Sequence, residues 1–335
     1  MTLRELNRAT LARQLLLARA RLSVPRAVEQ IGAIQAQDVG APYGALHARL
    51  DGFRRDALDR ALERRLVVKA TLMRGTLHIV SARDYAAFAT ALQPSLTRQY
   101  AGVRLRGASE VAVEALAERA LAFGSEPRTN AEYAVHLGGR DEWFRVRFHA
   151  PFVVVPPFER RPRLVFAGAW LELEPVPEEQ ARAHLVRRYL ASFGPATAKD
   201  AARWARLPVS AVRAALERVR TIDLGDGYLD LPRARRPGDV PAPPRLLPLF
   251  DLLLLGHDDR TRVVPPEYAK PLNRDGGIIL RSFLVDGLVA GLWRVDGGVL
   301  KLAPFAPLPR RAKRELEEEA SRTAAFHGAS KVRFG

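Results

Sequence analysis

The sequence predicts an α+β protein of tandem winged-helix units, followed by a small antiparallel, β-barrel-like sheet with one helix. Blocks of helical periodicity, each followed by a β-rich hairpin, indicate the first part, and period-two alternation indicates the second. With 335 residues, 47% of them hydrophobic, the chain can bury several small cores. We expect winged-helix units over residues 1–105, 106–177 and 178–238, and a β-rich domain over residues 239–335.

The first unit combines helices up to about residue 66 with a hairpin after them. The turn-forming tripeptide Gly40-Ala41-Pro42 is expected to end the second of its helices. The segment LVVKATLMRGTLHIV (residues 66–80) then predicts two strands that meet at Arg74-Gly75. A winged helix has this order of elements, with its helices followed by a hairpin.

The second unit has the same order of elements. Helical runs cover residues 111–123 and 130–137. An apolar, Pro-rich stretch over residues 148–170 follows them, in the place where the hairpin is expected.

The third unit gives the clearest pattern, a helix-turn-helix with its wing. A helix over residues 178–193 precedes two short helices over residues 198–205 and 211–219, for which Thr197 and Ser210 are the expected N-caps. The hairpin TIDLGDGYLDL (residues 221–231) follows, and Gly225-Asp226-Gly227 supplies the positive φ angles of a tight turn. Such a unit either contacts DNA or serves as plain scaffold.

The β-rich domain follows a Pro- and Arg-rich linker over residues 232–248. Its strands over residues 277–285 and 288–295 alternate around Asp286-Gly287, a strong type I′ hairpin signal. A third strand, a helix over residues 308–326 and an edge strand at the final KVRFG complete the expected sheet.

The net charge of +16 favours a polyanionic partner, because binding phosphates releases condensed counterions. Six of the 53 basic residues are lysine and the rest are arginine, the better bidentate partner for phosphate. Codon bias accounts for part of the arginine excess, but the sign of the charge still requires a partner. The chain lacks a stretch of about 20 apolar residues and a secretory signal, so we expect a cytoplasmic, nucleoid-associated protein without membrane contact.

Five segments occur in a distinctive order along nearly the whole chain. They are IQAQD (34–38), LMRGTLHIV (72–80), YLASFGPATAKDAARWA (189–205), LLPLFDLLLLGHDDR (246–260) and LVDGLVAGLWR (284–294). Together they resemble the winged-helix DNA glycosylases of the AlkZ and YcaQ type, bacterial enzymes that repair interstrand crosslinks. The resemblance implies a monofunctional glycosylase that binds duplex DNA and hydrolyses the N-glycosidic bond of cationic N7-alkylpurines without a cofactor.

The resemblance assigns the attacking water to a Gln-x-Gln motif, which Gln35 and Gln37 match; Asp38 follows the motif and does not replace its second glutamine. This branch of the family implies repair of bulky adducts or crosslinks, or self-resistance to a DNA-alkylating natural product. Neutral amides suit the chemistry, because an N7-alkylated purine is already cationic and leaves with little acid assistance.

The expected roles of the two amides set a geometric condition. Their carbonyl oxygens are expected to position the water and stabilise the charge that spreads over the sugar, while the NH₂ groups are anchored to phosphate or backbone. Residues two apart share a face in extended chain or at a fraying helix end, but not inside a helix. The motif should therefore lie where the helix ends, before Gly40.

Other DNA contacts are expected around an open basic cleft, because a crosslinked adduct is not easily housed in a pocket. Residues that alternate on the first hairpin either line a DNA groove or satisfy the strand's own polar contacts: Arg74, Thr76 and His78. In the third unit the expected contacts are Lys199, Arg203 and Arg213. Either the first hairpin or the third-unit wing is expected to enter the minor groove.

No metal or nucleotide cofactor is expected. The chain has no cysteine, and His257-Asp258-Asp259 reads as a loop because no second ligand pair accompanies it. The main alternative function is a non-catalytic winged-helix regulator, and a weaker one is a structural DNA-binding protein with a degenerate active site. A regulator requires base-reading residues, yet the third-unit helices offer few Asn or Gln. We expect a monomer, because tandem units can surround a duplex.

Overall fold

The computed structural model describes residues 1–101, 112–156 and 161–335. In this part of the chain the helices are α1 (Leu3–Arg13), α2 (Val24–Ile31), α3 (Ala41–Arg49), α4 (Arg55–Glu63), α5 (Ala82–Ala101), α6 (Val113–Phe123), α7 (Asn130–Leu137), α8 (Arg140–Val146), α9 (Ala167–Trp170), α10 (Glu178–Phe193), α11 (Ala198–Ala205), α12 (Val209–Leu216) and α13 (Arg310–Phe326). The strands are β1 (Ile34–Gln35), β2 (Val67–Thr71), β3 (Leu77–Ser81), β4 (Arg128–Thr129), β5 (Phe152–Val155), β6 (Arg163–Phe166), β7 (Ile222–Asp223), β8 (Leu229–Asp230), β9 (Arg245–Leu247), β10 (Asn273–Arg274), β11 (Ile278–Ile279), β12 (Ser282–Val285), β13 (Leu288–Asp296), β14 (Val299–Pro304) and β15 (Lys331–Phe334). The predicted helix start at residue 111, the boundary between residues 105 and 106 and part of the predicted stretch over 148–170 lie outside the described residues.

The first six strands form one sheet in the order β1-β3-β2-β5-β6-β4, in which every pair is antiparallel. Strands β1 to β3 come from the first predicted unit and β4 to β6 from the second, so both units share this sheet. They join where β2 pairs with β5, with Lys69 opposite Val154 and Ala70 opposite Val153. The division of the chain into units stays a prediction.

Two hydrophobic cores cover opposite sides of this sheet near β1 and β3. On one side Ala70 and Val80 pack in a core that α5, α10 and α11 complete. On the other side Ile34 and Ile79 pack with residues of α2, α3 and α4. Because side chains alternate along a strand, β3 contributes to both cores. A polar side chain on β1 that points toward the first core is therefore held between packed elements.

The tripeptide Gly40-Ala41-Pro42 begins a helix, so the prediction that it ends one is wrong. Helix α2 ends at Ile31, where Gly32 adopts a φ of +85°, and β1 follows. Helix α3 starts at Ala41 with Pro42 in its first turn, a position in which the missing N–H of proline needs no partner. The chain between the two helices includes the short strand β1.

The third predicted unit follows its sequence pattern closely. Helices α10 and α11 have the predicted bounds, and Thr197 caps α11 in a capping box. The prediction that Ser210 caps the next helix is wrong, because α12 already begins at Val209, directly after Pro208. The wing is confirmed as β7 and β8, joined through the positive-φ residues Gly225-Asp226-Gly227.

The C-terminal sheet has the strand order β15-β14-β13-β12-β9. Its predicted hairpin is confirmed, since Asp286 and Gly287 have φ angles of +45° and +81° between β12 and β13. The predicted edge strand is confirmed as β15, which pairs parallel with β14 although the sheet was expected to be antiparallel. Helix α13 packs on the sheet through Leu316 and Ala320. The α+β class is confirmed, and the described sheet ends at β9 and β15 without closing into a barrel.

Candidate active site

The Gln-x-Gln motif lies on an extended segment at the edge of the six-stranded sheet. Gln35 in β1 stands opposite His78 in β3, and the N–H of Ala36 donates to the carbonyl of Leu77 at 2.7 Å. Ala36 is buried in the core, Gln35 is 5% exposed and Gln37 is exposed. Strand β1 ends at Gln35, and Gln37 lies in the bend that leads to α3. The expectation that the motif lies at a fraying helix end is wrong, because α2 ends at Ile31 and Gln35 already belongs to β1.

Both amides are anchored through their carbonyl oxygens. The guanidinium of Arg74 donates from Nη2 to Gln35 Oε1 at 2.9 Å, and the N–H of Leu77 donates to Gln37 Oε1 at 3.0 Å. Within the described residues, neither Nε2 has a hydrogen-bond partner. We expected the NH₂ groups to anchor to phosphate or backbone. The backbone contact of Gln37 is made by its oxygen instead, because the N–H of Leu77 is a donor and only an oxygen can accept it. Anchoring of the NH₂ groups to phosphate stays a prediction.

Arg74 lies in a single 3₁₀ turn, Met73–Gly75, that joins β2 to β3. Its φ is +57°, and its Nη1 donates to the carbonyl of Trp204 at 2.9 Å. Burial lowers the pKa of Arg74 to about 10, with contributions from the positive charges of Arg203 and Arg206. The expected alternation of Arg74 with Thr76 and His78 along a strand is wrong, because β3 begins only at Leu77. The hydroxyl of Thr76 instead donates to the carbonyl of Met73 at 3.2 Å.

His78 is completely buried beneath Arg74. Its Nδ1 lies 2.9 Å from the carbonyl of Thr76, so this nitrogen carries the proton and Nε2 is left as an acceptor. The Nε2 atom lies 3.4 Å from Nη2 of Arg74. Burial and the charge of Arg74 lower the pKa of His78 to about 3. The neutral ring therefore contacts Arg74, and its burial does not allow contact with DNA in this conformation.

Exposed cations lie on α11, which contacts Arg74, and on α12. Lys199, Arg203 and Arg213, the predicted DNA contacts of the third unit, are all exposed, and Arg203 lies 3.6 Å from Asp258. Two further arginines were not predicted. Arg206 is exposed just after α11 with a φ of +59°. Arg260 is half-buried, and burial, together with the nearby charge of Arg203, lowers its pKa.

Arg260 ends one of the five resemblance segments, but no spacing rule singles it out. For Arg206 the sequence offers only its position at a helix C-terminus. The proximity of Arg206 to Arg74 and of Arg260 to Arg203 results from the tertiary fold, so sequence reasoning had no signal for it.

The loop His257-Asp258-Asp259 has structural contacts. The Nε2 of buried His257 lies 2.9 Å from the carbonyl of Phe193, and the N–H of Asp258 donates to the carboxylate of Asp200 at 2.8 Å. In residues 1–101, 112–156 and 161–335, no group of three or more His, Cys, Asp or Glu is placed to hold a metal ion. The loop fixes the end of α10 against the start of α11.

Comparison with known proteins identifies the family of this chain. Residues 28–326 match the family model described as DNA glycosylase AlkZ-like. The chain belongs to the AlkZ-like DNA glycosylase family. Members of this family are enzymes that cleave N-glycosidic bonds, and the membership does not favour a non-catalytic regulator.

Individual relatives agree with the family assignment. The chain is 26% identical over 358 aligned positions to the interstrand DNA cross-link repair glycosylase of Streptomyces sahachiroi, covering 96% of this chain and 95% of the relative. It shares its fold with the solved structure of the S. sahachiroi DNA glycosylase AlkZ, with a TM-score of 0.81, 22% identity and 100% of both chains covered. In the described part of the chain, no helix has the length and apolar character needed to cross a membrane.

Proposed function

We propose that this AlkZ-like glycosylase is monofunctional and hydrolyses the N-glycosidic bond of cationic N7-alkylpurines in duplex DNA. Its substrates include bulky adducts or interstrand crosslinks, and interstrand crosslinks are the lesion in the name of the S. sahachiroi relative. Its role is repair, or self-resistance to a DNA-alkylating natural product. It acts as a monomer in the cytoplasm, at the nucleoid, without metal or nucleotide cofactor.

The observation that carries this proposal is the pair of amides whose side-chain oxygens are both held by the hairpin of β2 and β3. Each carbonyl oxygen has two lone pairs, and a protein donor occupies one of them in both Gln35 and Gln37. The remaining lone pairs can accept the two O–H groups of one water and direct its oxygen toward the anomeric carbon. The unpartnered Nε2 groups can donate to a phosphate or to the lesion. Positioning of this kind lowers the barrier without proton transfer by a side chain.

The carboxylate nearest to the motif in the sequence is that of Asp38, and its contact indicates a structural role and not general-base catalysis. Asp38 follows the motif, but its carboxylate accepts the N–H of Gly40 at 3.0 Å. The site therefore supplies orientation and dipoles, which suffice for a leaving group that is already cationic.

Access to the lesion follows from the exposed cations. Lys199, Arg203 and Arg206 lie on or just after α11, whose last turn also contacts Arg74 through Trp204. Phosphates of the duplex bound along this helix would place a modified purine near the two amides. Arg213 on α12 extends the same basic surface.

An excision assay tests the proposal with duplexes that carry N7-methylguanine, a bulky N7-guanine adduct or an N7-linked crosslink. We expect abasic product from the wild type, and rate losses on the order of 100- to 1,000-fold for Gln35→Ala and Gln37→Ala, with DNA affinity largely kept. Gln30→Ala, which removes an exposed glutamine of α2, is the matched control and should retain the wild-type rate. The proposal fails if the wild type releases no base from any of the three duplexes.

A further inference from the structure

We infer that Arg74 is a positioning residue whose guanidinium fixes the orientation of the Gln35 amide in the active site. This inference rests on the proposed catalytic function of Gln35. It differs from the DNA-binding role that the sequence suggests for Arg74, because it assigns the guanidinium a target inside the protein.

The backbone around Arg74 is held from two sides. Arg74 and Gly75 both adopt positive φ angles, +57° and +69°. A Cβ added to Gly75 would lie 2.4 Å from the hydroxyl of Tyr100 in α5, so only glycine allows this close approach. On the other side Nη1 of Arg74 donates to the last turn of α11 at the Trp204 carbonyl. A turn fixed in this way presents the guanidinium in one position.

The guanidinium has no counter-ion among the described residues. Its three recorded contacts are the Trp204 carbonyl, the Gln35 side-chain oxygen and the acceptor nitrogen of His78. A partly buried cation without a counter-ion is costly, and the positive charges of Arg203 and Arg206 nearby add to that cost. Residues retained at such a cost are frequent at functional sites.

The contact with Gln35 determines which way its amide points. A guanidinium has only donors, so the side-chain oxygen must face Arg74 and Nε2 must point away from it. His78 reinforces this arrangement, because its protonated Nδ1 bonds to Thr76 and leaves Nε2 to accept from Arg74. Without the guanidinium the amide could rotate by 180° and exchange its oxygen with its NH₂ group. The water-binding lone pair of Gln35 would then be lost for part of the time.

The experiment separates excision from binding, using enzyme in excess over a duplex with one N7-methylguanine. We expect Arg74→Met to lower the single-turnover rate on the order of 10- to 100-fold, with the Kd for DNA nearly unchanged. Arg310→Met, which removes an exposed arginine at the start of α13, should change neither quantity. A weaker Kd with an unchanged rate at saturation would make Arg74 a DNA contact and overturn the inference.

The pH profile of Arg74→Lys is a readout that a purely structural role of Arg74 would not change. This variant also replaces Arg74→Met if Arg74→Met does not fold. The lysine would face Arg203, Arg206 and neutral His78 in a buried position, which lowers the pKa of an ammonium more readily than that of a guanidinium. We expect the variant to excise at pH 6 and to lose activity relative to the wild type as the pH rises to 8.5. Parallel pH profiles of the two proteins would contradict the inference.

A double variant distinguishes failure of the inference from failure of the proposed function. If Arg74 acts through Gln35, then Gln35→Ala with Arg74→Met should be no slower than Gln35→Ala alone. Multiplicative losses would overturn the positioning role while leaving Gln35 catalytic. A wild-type rate for Gln35→Ala alone would instead refute the catalytic role of Gln35 on which the inference depends.

Discussion

Arg49 and Asp251 form a buried bidentate ion pair that joins α3 to the chain segment after β9. The two guanidinium nitrogens lie 2.8 and 2.7 Å from the two carboxylate oxygens, and both side chains are at most 2% exposed. Arg49 also donates to Gln14 in the turn after α1, and Asp251 accepts the N–H of Leu253. The pair lines the small cavity behind Gln35, so it attaches the C-terminal part of the chain to the unit that carries the motif.

Asp251→Asn should destabilise the protein by about 3–5 kcal/mol, because it leaves the Arg49 guanidinium buried without its counter-ion. The free energy of unfolding in urea measures this loss. The matched control is Asp56→Asn in the exposed pair of Asp56 with Arg60, for which we expect no measurable change. Equal effects of the two substitutions would contradict the assigned importance of the buried pair.

Gly75→Ala should be more harmful than Gly52→Ala, although both glycines have similar positive φ angles, +69° and +65°. Each alanine incurs backbone strain of roughly 1–2 kcal/mol. Only at Gly75 would the new Cβ also collide with Tyr100, since nothing lies within 4 Å at Gly52. Thermal melts and single-turnover excision measure the difference. Adding Tyr100→Phe removes the closest colliding atom and should restore part of the stability; no difference between the two alanine variants would refute the steric argument.

Acid should destabilise the protein through its buried histidines. Burial lowers the pKa values of His47, His78 and His257 to about 3 and that of His327 to about 4, from an ordinary value of 6.5. Between these values the unfolded chain binds more protons than the folded one. The stabilising contribution of each neutral ring is therefore complete above pH 6.5 and decreases as the pH falls, by up to about 1.4 kcal/mol per pH unit.

His47→Phe tests the sign of this effect. The His47 ring stacks on Phe326 with centroids 4.1 Å apart, and neither of its buried nitrogens has a recorded hydrogen-bond partner. Phenylalanine keeps the stacking and cannot be protonated, so the loss in Tm between pH 7.5 and pH 5 should be smaller than in the wild type. Substituting the exposed His136 by Phe is the control. An unchanged pH dependence in His47→Phe would contradict the linkage.

The arginines on and near α11 should contribute to the salt dependence of DNA affinity. Each phosphate contact adds about 0.9 to the slope of log K against log salt concentration on duplex DNA. We therefore expect Arg203→Ala and Arg206→Ala each to reduce that slope by about 1, whereas Gln37→Ala should leave it unchanged. Fluorescence anisotropy over a salt series measures the slopes. An affinity that does not vary with salt would remove the role assigned to the basic surface.

The sequence predicts the local features of this protein better than its tertiary contacts. Helices α7, α10 and α11 have their predicted bounds because their caps and periodicity are local signals. Gly40-Ala41-Pro42 was misread because proline is compatible both with the end of one helix and with the first turn of the next. The sheet shared by the first two units depends on the pairing of β2 with β5, which no local pattern encodes.

The same difference between local and tertiary features applies to the candidate site. Gln35 and Gln37 were found through the family resemblance, and no local pattern encodes how the hairpin of β2 and β3 holds their oxygens. For Arg74 the sequence suggested a DNA contact but not its contacts inside the protein, because those with Gln35 and Trp204 cross sequence separations of 39 and 130 residues. A guanidinium on a hairpin turn is ordinarily exposed, and here the packing of α5 and α11 around the turn partly covers it.

The charge of the lesion should decide whether the enzyme acts on it. The two amides neither donate nor accept a proton near pH 7, so they cannot assist a leaving group that must be protonated. We expect excision of N7-methylguanine, whose base is cationic, and no excision of uracil or hypoxanthine from otherwise identical duplexes. The rate with N7-methylguanine should also be nearly constant between pH 6 and pH 8, since Arg74 stays charged and His78 stays neutral in this range. Release of neutral bases, or a rate that rises steeply on acidification, would indicate a general acid and contradict a mechanism based on neutral glutamines.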